Sequence, residues 1–295
     1  MGYEWLALGA ALLWAISSLM SVAPSKHLGS FAYSRWRMGC TSIILTLFAL
    51  FTGGWDSVTT SDILPMALSG LIGIFIGDTA LFACLNRMGP RQSGLLFSCH
   101  AVFSAVLGYF LFSETMSSGE LLGSTLVFTG VLSAIFFGRR GKKSHQLDSI
   151  NGHIGAGIAL GITAAICQAL GGILAKPVMV TEIDPVAASA IRMITAFCAH
   201  CLFRFTGHRL AVATQRITPT IFAITFVNGF LAMALGMTLI MYALRDGNVG
   251  MVALLSSTTP IMLLPIIWLY TKQCPNRYAW SGAFVAVLGT GILVY

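Results

Sequence analysis

The chain has 295 residues, of which 56% are hydrophobic and only 9% are charged, and its mean hydropathy is +0.83. A soluble domain carries about a quarter of charged residues, so this composition excludes an ordinary water-soluble domain and indicates a protein that lives in a bilayer. The net charge of +7 is then explained by basic loops that face anionic lipid rather than by a nucleic-acid partner.

Apolar stretches long enough to cross a bilayer occur along the whole chain, since about twenty such residues span the hydrocarbon as a helix. They are predicted at 4–22, 31–52, 62–85, 91–112, 119–138, 153–175, 186–206, 218–243, 249–271 and 278–295. The loops between them are short and hold no soluble domain. The sequence therefore predicts an all-α integral membrane protein with ten transmembrane helices.

The second half of the chain repeats the first at one constant offset. The matching residues are Gly77, Thr79, Leu85, Leu95, Leu96, Ser98, Gly123 and Gly130, which recur as Gly236, Thr238, Leu244, Leu254, Leu255, Ser257, Gly282 and Gly289. Five helices per copy is an odd number, so the two copies cross the membrane in opposite senses, as in many transporters. We predict a first repeat at 1–138, a basic linker at 139–151 and a second repeat at 152–295.

The distribution of lysine and arginine predicts the orientation of these helices. The side reached after an odd number of crossings holds 14 of the 17 basic residues, and only Lys176, Arg192 and Arg245 lie on the other side. Cytoplasmic loops carry such an excess of positive charge. We therefore expect a cytoplasmic linker and two extracytoplasmic termini.

The first helix contains two tryptophans, and the second helix of each repeat contains an arginine inside the predicted span. Trp5 suits the membrane interface, whereas Trp14 is deeper and either packs or lines a cavity. Arg37 and Arg192 lie about two turns inside the second helix of their repeats. Snorkelling toward the surface or capping of neighbouring carbonyls is the commoner fate of such arginines, and substrate binding is the alternative.

Asp78 is the carboxylate that lies well inside a predicted span. A carboxylate at this depth is costly, so it either carries a coupling proton or forms a structural ion pair with a basic group such as Arg37 or Arg87. His100, near the middle of the fourth segment, either binds a substrate carboxylate or is satisfied by a backbone carbonyl.

The second repeat presents polar groups at comparable depth. Gln168, Asn228, Ser257 and Thr259 indicate a modest polar cavity, and Pro260 predicts a helix break that serves gating. Ala101 stands at the equivalent place in the first repeat, so the break is expected in one repeat only.

The sequence gives only weak evidence for a metal site. Cys198, His200 and Cys201 are close in sequence, but adjacent histidine and cysteine point about 100° apart on a helix and no second ligand pair accompanies them. We predict no metal and no cofactor.

Several short motifs resemble the EamA-type domain of the drug/metabolite transporter superfamily, and they occur in both halves. In the first half they are Ser93-Gly94-Leu95-Leu96, Ser98, Phe112, Ser113-Glu114, Gly123 and Gly130; in the second they are Tyr242-Ala243-Leu244, Leu254 to Ser257, Thr259-Pro260, Gly282 and Gly289. The likeness extends over essentially the whole chain.

The resemblance implies an inner-membrane carrier that exports amino acids or related metabolites by alternating access. It implies that His100 and Thr259 face each other across the pseudo-twofold axis and that Trp14 and Gln168 line the same space. We therefore predict substrate binding by His100, Asp78, Trp14, Gln168, Asn228, Ser257 and Thr259. The expected partners are a small-molecule substrate and the lipid bilayer, and a homodimer is an alternative to a single copy of the chain.

Other functions fit the sequence less well. A carrier of nucleotide sugars or phosphorylated metabolites needs basic groups that converge on the cavity, whereas Arg37, Arg192 and Lys176 lie toward helix ends. A drug exporter is disfavoured because the first helix has no acid beyond Glu4, and the small drug exporters use a glutamate deep in that helix. An intramembrane enzyme built on Asp78 and His100 lacks a nucleophile motif or a second carboxylate. We expect a carrier, with no enzymatic activity.

Overall fold

The computed structural model describes residues 2–137, 153–271 and 277–294. Over these ranges the chain forms helices and short turns, and no β-strand occurs in them. The predicted linker at 139–151 lies outside the described residues. The prediction of an all-α protein is confirmed.

The first half of the described chain forms six α-helices. They are α1 (Tyr3–Leu28), α2 (Ser30–Thr52), α3 (Thr60–Ser69), α4 (Thr79–Ser98), α5 (His100–Phe112) and α6 (Ser118–Phe137). A π-helical stretch, Gly70–Asp78, joins α3 to α4 without a break and is named the first π segment here.

The second half has a matching series of α-helices. They are α7 (Ile154–Met179), α8 (Pro185–Phe205), α9 (Pro219–Gly229), α10 (Thr238–Asp246), α11 (Val249–Ser256), α12 (Thr259–Thr271) and α13 (Arg277–Val294). The second π segment, Phe230–Met237, joins α9 to α10.

Helical stretches that are long and apolar enough to cross a membrane number seven among the described residues. They are Tyr3–Leu28, Thr60–Pro90, Gln92–Phe112, Ile154–Met179, Pro185–Phe205, Pro219–Asp246 and Val249–Leu269. The protein is thus a multi-pass membrane protein. The helices α2, α6 and α13 are the other long ones, and the full number of ten spans remains a prediction.

Glycines bring the π segments close to neighbouring helices. A Cβ on Gly77 would lie 2.9 Å from the Cβ of Cys167 on α7, and a Cβ on Gly236 would lie 2.9 Å from the Nε1 of Trp14 on α1. In a bilayer, helices associate by such close packing of small residues because lipid tails are as apolar as the side chains. Each π segment therefore lies against the first helix of the other half.

A break interrupts the chain at equivalent places in the two halves, which corrects the expectation of a break in one half only. The amide of Cys99 bonds to the carbonyl of Leu96 between α4 and α5, and the amide of Thr258 bonds to that of Leu255 between α11 and α12. These tight turns produce the breaks without proline. Pro260 lies in the first turn of α12, where its missing N–H costs no intrahelical bond.

The two halves meet about a pseudo-twofold axis. The hydroxyl of Ser98 lies 3.5 Å from the carbonyl oxygen of Ser257, and these equivalent residues are 159 positions apart in the chain. Only groups beside the axis can contact their own counterparts. The axis therefore passes the helix breaks.

The α6 and α13 helices pack against each other through glycines. A Cβ on Gly130 would lie 2.6 Å from the carbonyl oxygen of Gly282, and a Cβ on Gly289 would lie 2.6 Å from that of Gly123. The twofold operation exchanges these two contacts. Because the glycine faces are used inside the molecule, they are not free to bind a second copy, and the possible homodimer remains a prediction.

Candidate functional site

A cavity of about 120 Å³ lies between the two halves. It is bordered by α1, α2, α4, α7, the second π segment and the start of α12. Its polar lining residues are Trp14, Ser17, Ser18, Ser21, Arg37, Asp78, Ser93, Gln168 and Thr259. Apolar groups, among them Phe82, Phe97 and Met233, complete the wall. The cavity joins a few polar groups to a largely apolar wall, as small-molecule sites do.

An ion pair is the main electrostatic feature of this cavity. The Nη2 atom of Arg37 lies 3.3 Å from each carboxylate oxygen of Asp78, and the two residues are only 3% and 9% exposed. The guanidinium also lies 4.7 Å from the centre of the Phe82 ring, a favourable position for a cation. The cavity thus contains two opposite charges whose sum is zero.

The backbone places this ion pair at the end of the first π segment. Asp78 is its last residue, and α4 follows directly. At Gly89 the chain takes a φ of +78°, which only glycine adopts easily, and Pro90 begins the next turn. The resulting bend in α4 lets both of its parts border the cavity.

The α1 helix presents Trp14 and a row of hydroxyl groups to the cavity. The Trp14 Nε1 donates to the carbonyl of Ala232 at 2.9 Å, which fixes the indole against the second π segment. One and two turns further along α1 lie Ser17, Ser18 and Ser21. Ser21 accepts hydrogen bonds from the hydroxyl of Tyr33 at 3.0 Å and from the Asn228 amide at 3.1 Å.

The structure brings together five of the residues that the sequence singled out. Trp14, Arg37, Asp78, Gln168 and Thr259 all line the cavity. For Asp78, the alternative of an ion pair with Arg37 is the one observed. Binding of substrate by these residues stays a prediction.

Three other predicted residues are not part of this cavity lining. The Asn228 amide donates to the carbonyl of Ser17 at 2.7 Å and is fully buried. Ser257 is buried and its hydroxyl donates to the carbonyl of Leu254 at 2.7 Å. Pro260 lies beside the cavity, where a Cβ on Gly94 would be 3.8 Å from its ring.

His100 lies outside the lining of this cavity, to which Thr259 belongs, so the expectation that both residues line one space is corrected. Its ring packs on Phe97 at a centroid distance of 5.0 Å, and the residue is 2% exposed. No hydrogen-bond partner for its Nε2 occurs among the described residues. The reason is that α5 packs closely against α11, whereas α12, which carries Thr259, stands further from α4.

Arg37 and Arg192 are both buried, so neither arginine follows the snorkelling alternative. Arg192 is only 1% exposed, and its Nη1 lies 3.5 Å from the sulfur of Met241. In the part of the chain that the structure describes, the Nε of Arg192 has no hydrogen-bond partner and no carboxylate forms an ion pair with it. Arg37 stays inside because Asp78 balances its charge.

Some lining residues were missed in the sequence. Ser17, Ser21 and Ser93 look like ordinary small packing residues, because serine is common where membrane helices touch. The spacing of Trp14, Ser17, Ser18 and Ser21 by one helical turn is a pattern that could have predicted one polar face of α1.

Metal chemistry has no evident place among the described residues. No group of three or more histidine, cysteine, aspartate or glutamate side chains lies close enough to hold an ion. His200, the one histidine of the cysteine-rich motif, is buried and lies 3.3 Å from the hydroxyl of Thr79.

A multi-pass, all-helical membrane protein with a cavity between its two halves has the architecture of many transporters. Comparison with known proteins gives the family. The model of the EamA-like transporter family matches residues 1–136 and 155–295. The chain therefore belongs to the EamA-like transporter family, as the sequence motifs indicated.

Individual relatives agree with this assignment. The chain is 25% identical over 164 residues to the uncharacterized transporter YyaM of Bacillus subtilis, a match that covers 54% of this chain and 50% of that protein. It is 20% identical over 294 residues to an uncharacterized transporter of Archaeoglobus fulgidus, covering 98% and 96% of the two chains. The chain thus matches half the length of the first relative and nearly all of the second.

A solved crystal structure has the same fold. It superposes with a TM-score of 0.78 over 99% of this chain and 96% of the other, at 13% sequence identity. At this identity the likeness concerns the fold alone.

Proposed function

We propose that this protein is a secondary transporter that exports amino acids or closely related small metabolites across the inner membrane by alternating access. The observation that carries the proposal is the Arg37–Asp78 ion pair in the wall of the central cavity. The membership of a transporter family supports the general class, and the chemistry of the pair supports the substrate.

An amino acid is the ligand that can replace this ion pair without leaving a charge unbalanced. Its carboxylate pairs with Arg37 and its ammonium group pairs with Asp78, so the cavity remains neutral in total. A ligand with a single charge strands one of the two side chains, and an unpaired buried charge costs several kcal/mol. The Trp14 ring and the apolar wall are then left for the side chain of the substrate.

Counterflow in proteoliposomes tests the substrate. Purified protein is loaded with unlabelled amino acid and the uptake of labelled amino acid is followed. We expect saturable exchange that is inhibited by amino acids. An analogue that lacks the carboxylate, or one that lacks the amino group, should need at least about a tenfold higher concentration for half-inhibition, which corresponds to about 1.4 kcal/mol of binding free energy. Equal inhibition by all three compounds would contradict the zwitterion site.

A pair of variants tests the role of Asp78. Asp78→Asn removes the carboxylate of the cavity, and Asp56→Asn removes one that lies exposed in a loop. We expect exchange to fall at least about tenfold in the first variant and to stay unchanged in the second. If Asp78→Asn exchanges normally and without pH dependence, Asp78 neither binds the ammonium group nor carries a coupling proton.

The alternatives have less support in the cavity. A nucleotide sugar or a phosphorylated metabolite carries several negative charges, and Arg37, the arginine among the described lining residues, is already paired. The apolar wall suits an amphipathic drug, which would not need both charges. A remote alternative is an intramembrane enzyme, and the family supports a carrier instead.

The topology belongs to the same proposal. Ten membrane spans in two inverted repeats, at 1–138 and 152–295, fit the matching helix series and the shared axis. The cavity extends along α1 from Trp14 to Ser21 and along α4 to Pro90. With the predicted excess of basic loops inside, this end faces the cytoplasm and the substrate enters there.

A further inference from the structure

The pseudo-twofold axis relates every group of the cavity to a counterpart in the other half. Gly229 packs on the backbone of Arg37, and its counterpart Gly70 packs on the backbone of Arg192. The Arg37 guanidinium lies 4.7 Å from the Phe82 ring, and Arg192 contacts Met241, which follows Phe82 by the same 159 positions. The two arginines therefore occupy equivalent environments.

One position breaks this equivalence. The counterpart of Asp78 is Met237, and no carboxylate forms an ion pair with Arg192 in the part of the chain that the structure describes. Arg192 is fully buried with an unpartnered Nε, and His100, the counterpart of Thr259, is buried with an unpartnered Nε2. The Nε of Arg37, which lines the open cavity, is unpartnered as well, so the two arginines share this feature, and each such buried atom calls for an explanation.

The region that corresponds to the cavity by symmetry is closed in this structure. A Cβ on Gly250 would lie 3.0 Å from the Cα of Ala105, so α11 touches α5 backbone to backbone. The carboxylate of Glu114 also accepts hydrogen bonds from the amides of Val249 and Gly250 at 2.8 and 3.2 Å. Val249 corresponds to Pro90, which borders the open cavity.

Inverted repeats exchange conformations when a carrier turns from one face to the other. The groups that line the cavity in the opposite state are then the counterparts of those that line it now. Arg37 and Thr259 have Arg192 and His100 as counterparts, and these are the two buried groups with unpartnered nitrogens described above.

We propose that Arg192 and His100 form a second binding site, which opens to the opposite face and holds the carboxylate of the substrate. This inference rests on the proposed transport function and adds a place for the substrate in its second state. Because no described carboxylate pairs with Arg192, the carboxylate of the substrate supplies its counter-ion there.

The opening itself is tested by labelling, which needs no knowledge of the substrate. The Ser93→Cys variant places a thiol in the present cavity. The Ser256→Cys variant places one on the closed side, because Ser256 is buried and is the counterpart, 159 positions on, of the cavity residue Phe97. The two variants are treated in sealed vesicles with a membrane-impermeant thiol reagent from each face, and labelling is measured above that of the parent protein. We expect labelling of Ser93→Cys from one face and of Ser256→Cys from the opposite face. Absence of labelling at Ser256→Cys, or labelling from the same face, overturns the proposal.

The binding role is tested by exchange measured from each face separately. We expect Arg192→Gln to raise the half-saturating amino-acid concentration at least about tenfold at the opposite face alone, and Arg37→Gln to do so at the cavity face alone. Arg192→Lys restores part of the affinity. Retained labelling of Ser93→Cys in the Arg192→Gln background shows that the fold is intact. An equal effect of Arg192→Gln at the two faces, or none, overturns the site.

These measurements separate the two proposals. Failure of amino-acid exchange removes the proposed substrate but leaves the sidedness of labelling to decide about the opposite opening. Exchange without the expected labelling leaves the transport function in place and removes the second site.

Discussion

Arg37 and Asp78 balance each other inside a medium that otherwise rejects charge. Both side chains leave water when the helices assemble, and their mutual attraction at 3.3 Å offsets only part of that cost. The pair therefore adds little net stability, yet each partner lowers the free-energy cost of burying the other charge. A site that binds a zwitterion needs this property, because its charges must separate from each other when the ligand arrives.

The coupling of these two residues is a prediction at the residue scale. Arg37→Met or Asp78→Leu alone leaves a buried charge without a partner and should lower the free energy of unfolding by about 3 kcal/mol. The double variant removes both charges and should lose less than either single variant. Thermal unfolding of the purified proteins in detergent measures all three. If the two single effects simply add, the residues are not coupled.

At the scale of single helices, the π segments and the glycine faces bring backbones together. Gly77 and Gly236 lie where a Cβ would meet α7 and α1, and Gly130 and Gly289 lie where one would meet α13 and α6. A π-helical turn widens the helix and is frequent at functional sites. Here the first one ends at Asp78, the acidic group of the cavity.

Two glycines of α13 give a matched prediction. A Cβ on Gly289 would lie 2.6 Å from the carbonyl oxygen of Gly123, whereas one on Gly291 meets nothing within 4 Å. Gly289→Ala should therefore force α6 and α13 apart and cost about 1–3 kcal/mol. Gly291→Ala should be neutral or slightly stabilising because alanine favours the helix. Thermal unfolding of both variants checks this, and equal melting temperatures would show that the close contact is absent.

At the scale of the whole molecule, one face is open and the other is closed by contacts between the halves. Glu114, which follows α5, caps the amides at the start of α11, so a carboxylate of the first half ties down a helix of the second. Such charge-assisted bonds are about twice as strong as neutral ones. The state with the open cavity is stabilised by this cap.

The cap gives a prediction about the balance of states. Glu114→Gln keeps one acceptor but loses the charge, which should cost the present state about 1.5 kcal/mol and shift the ratio of states about tenfold. Labelling of Ser93→Cys should fall and that of Ser256→Cys should rise. Glu120→Gln is the control, because the described hydrogen bond of the Glu120 carboxylate is local, to the amide of Ser117 at 2.7 Å. A similar response to both changes would contradict the role of the cap.

Part of the site could be predicted from the sequence because polar groups are rare at membrane depth. Trp14, Asp78, Gln168 and Thr259 stand out in apolar segments, and all four line the cavity. Their depth in a helix fixes their height in the membrane. The direction in which each side chain points depends on helix rotation, which depth does not reveal.

For that reason the buried positions of Arg192 and His100 could not be predicted. Equivalent places in two repeats suggested equivalent surroundings, but a carrier in one state has one open and one closed side. His100 therefore packs on Phe97 while its counterpart Thr259 lines the cavity. The serines of α1 were missed because serine in a membrane helix is equally suited to packing.

The sequence by itself determined the membrane class, the internal duplication and the family, because these follow from composition and from the order of motifs along the chain. Only the tertiary structure decided that Arg37 pairs with Asp78, that the glycines of α6 and α13 face each other, and which half of a symmetric set lines the cavity. Composition and repeats are properties of the chain alone. Pairing and closure depend on how helices rotate and approach, and this is fixed when they pack together.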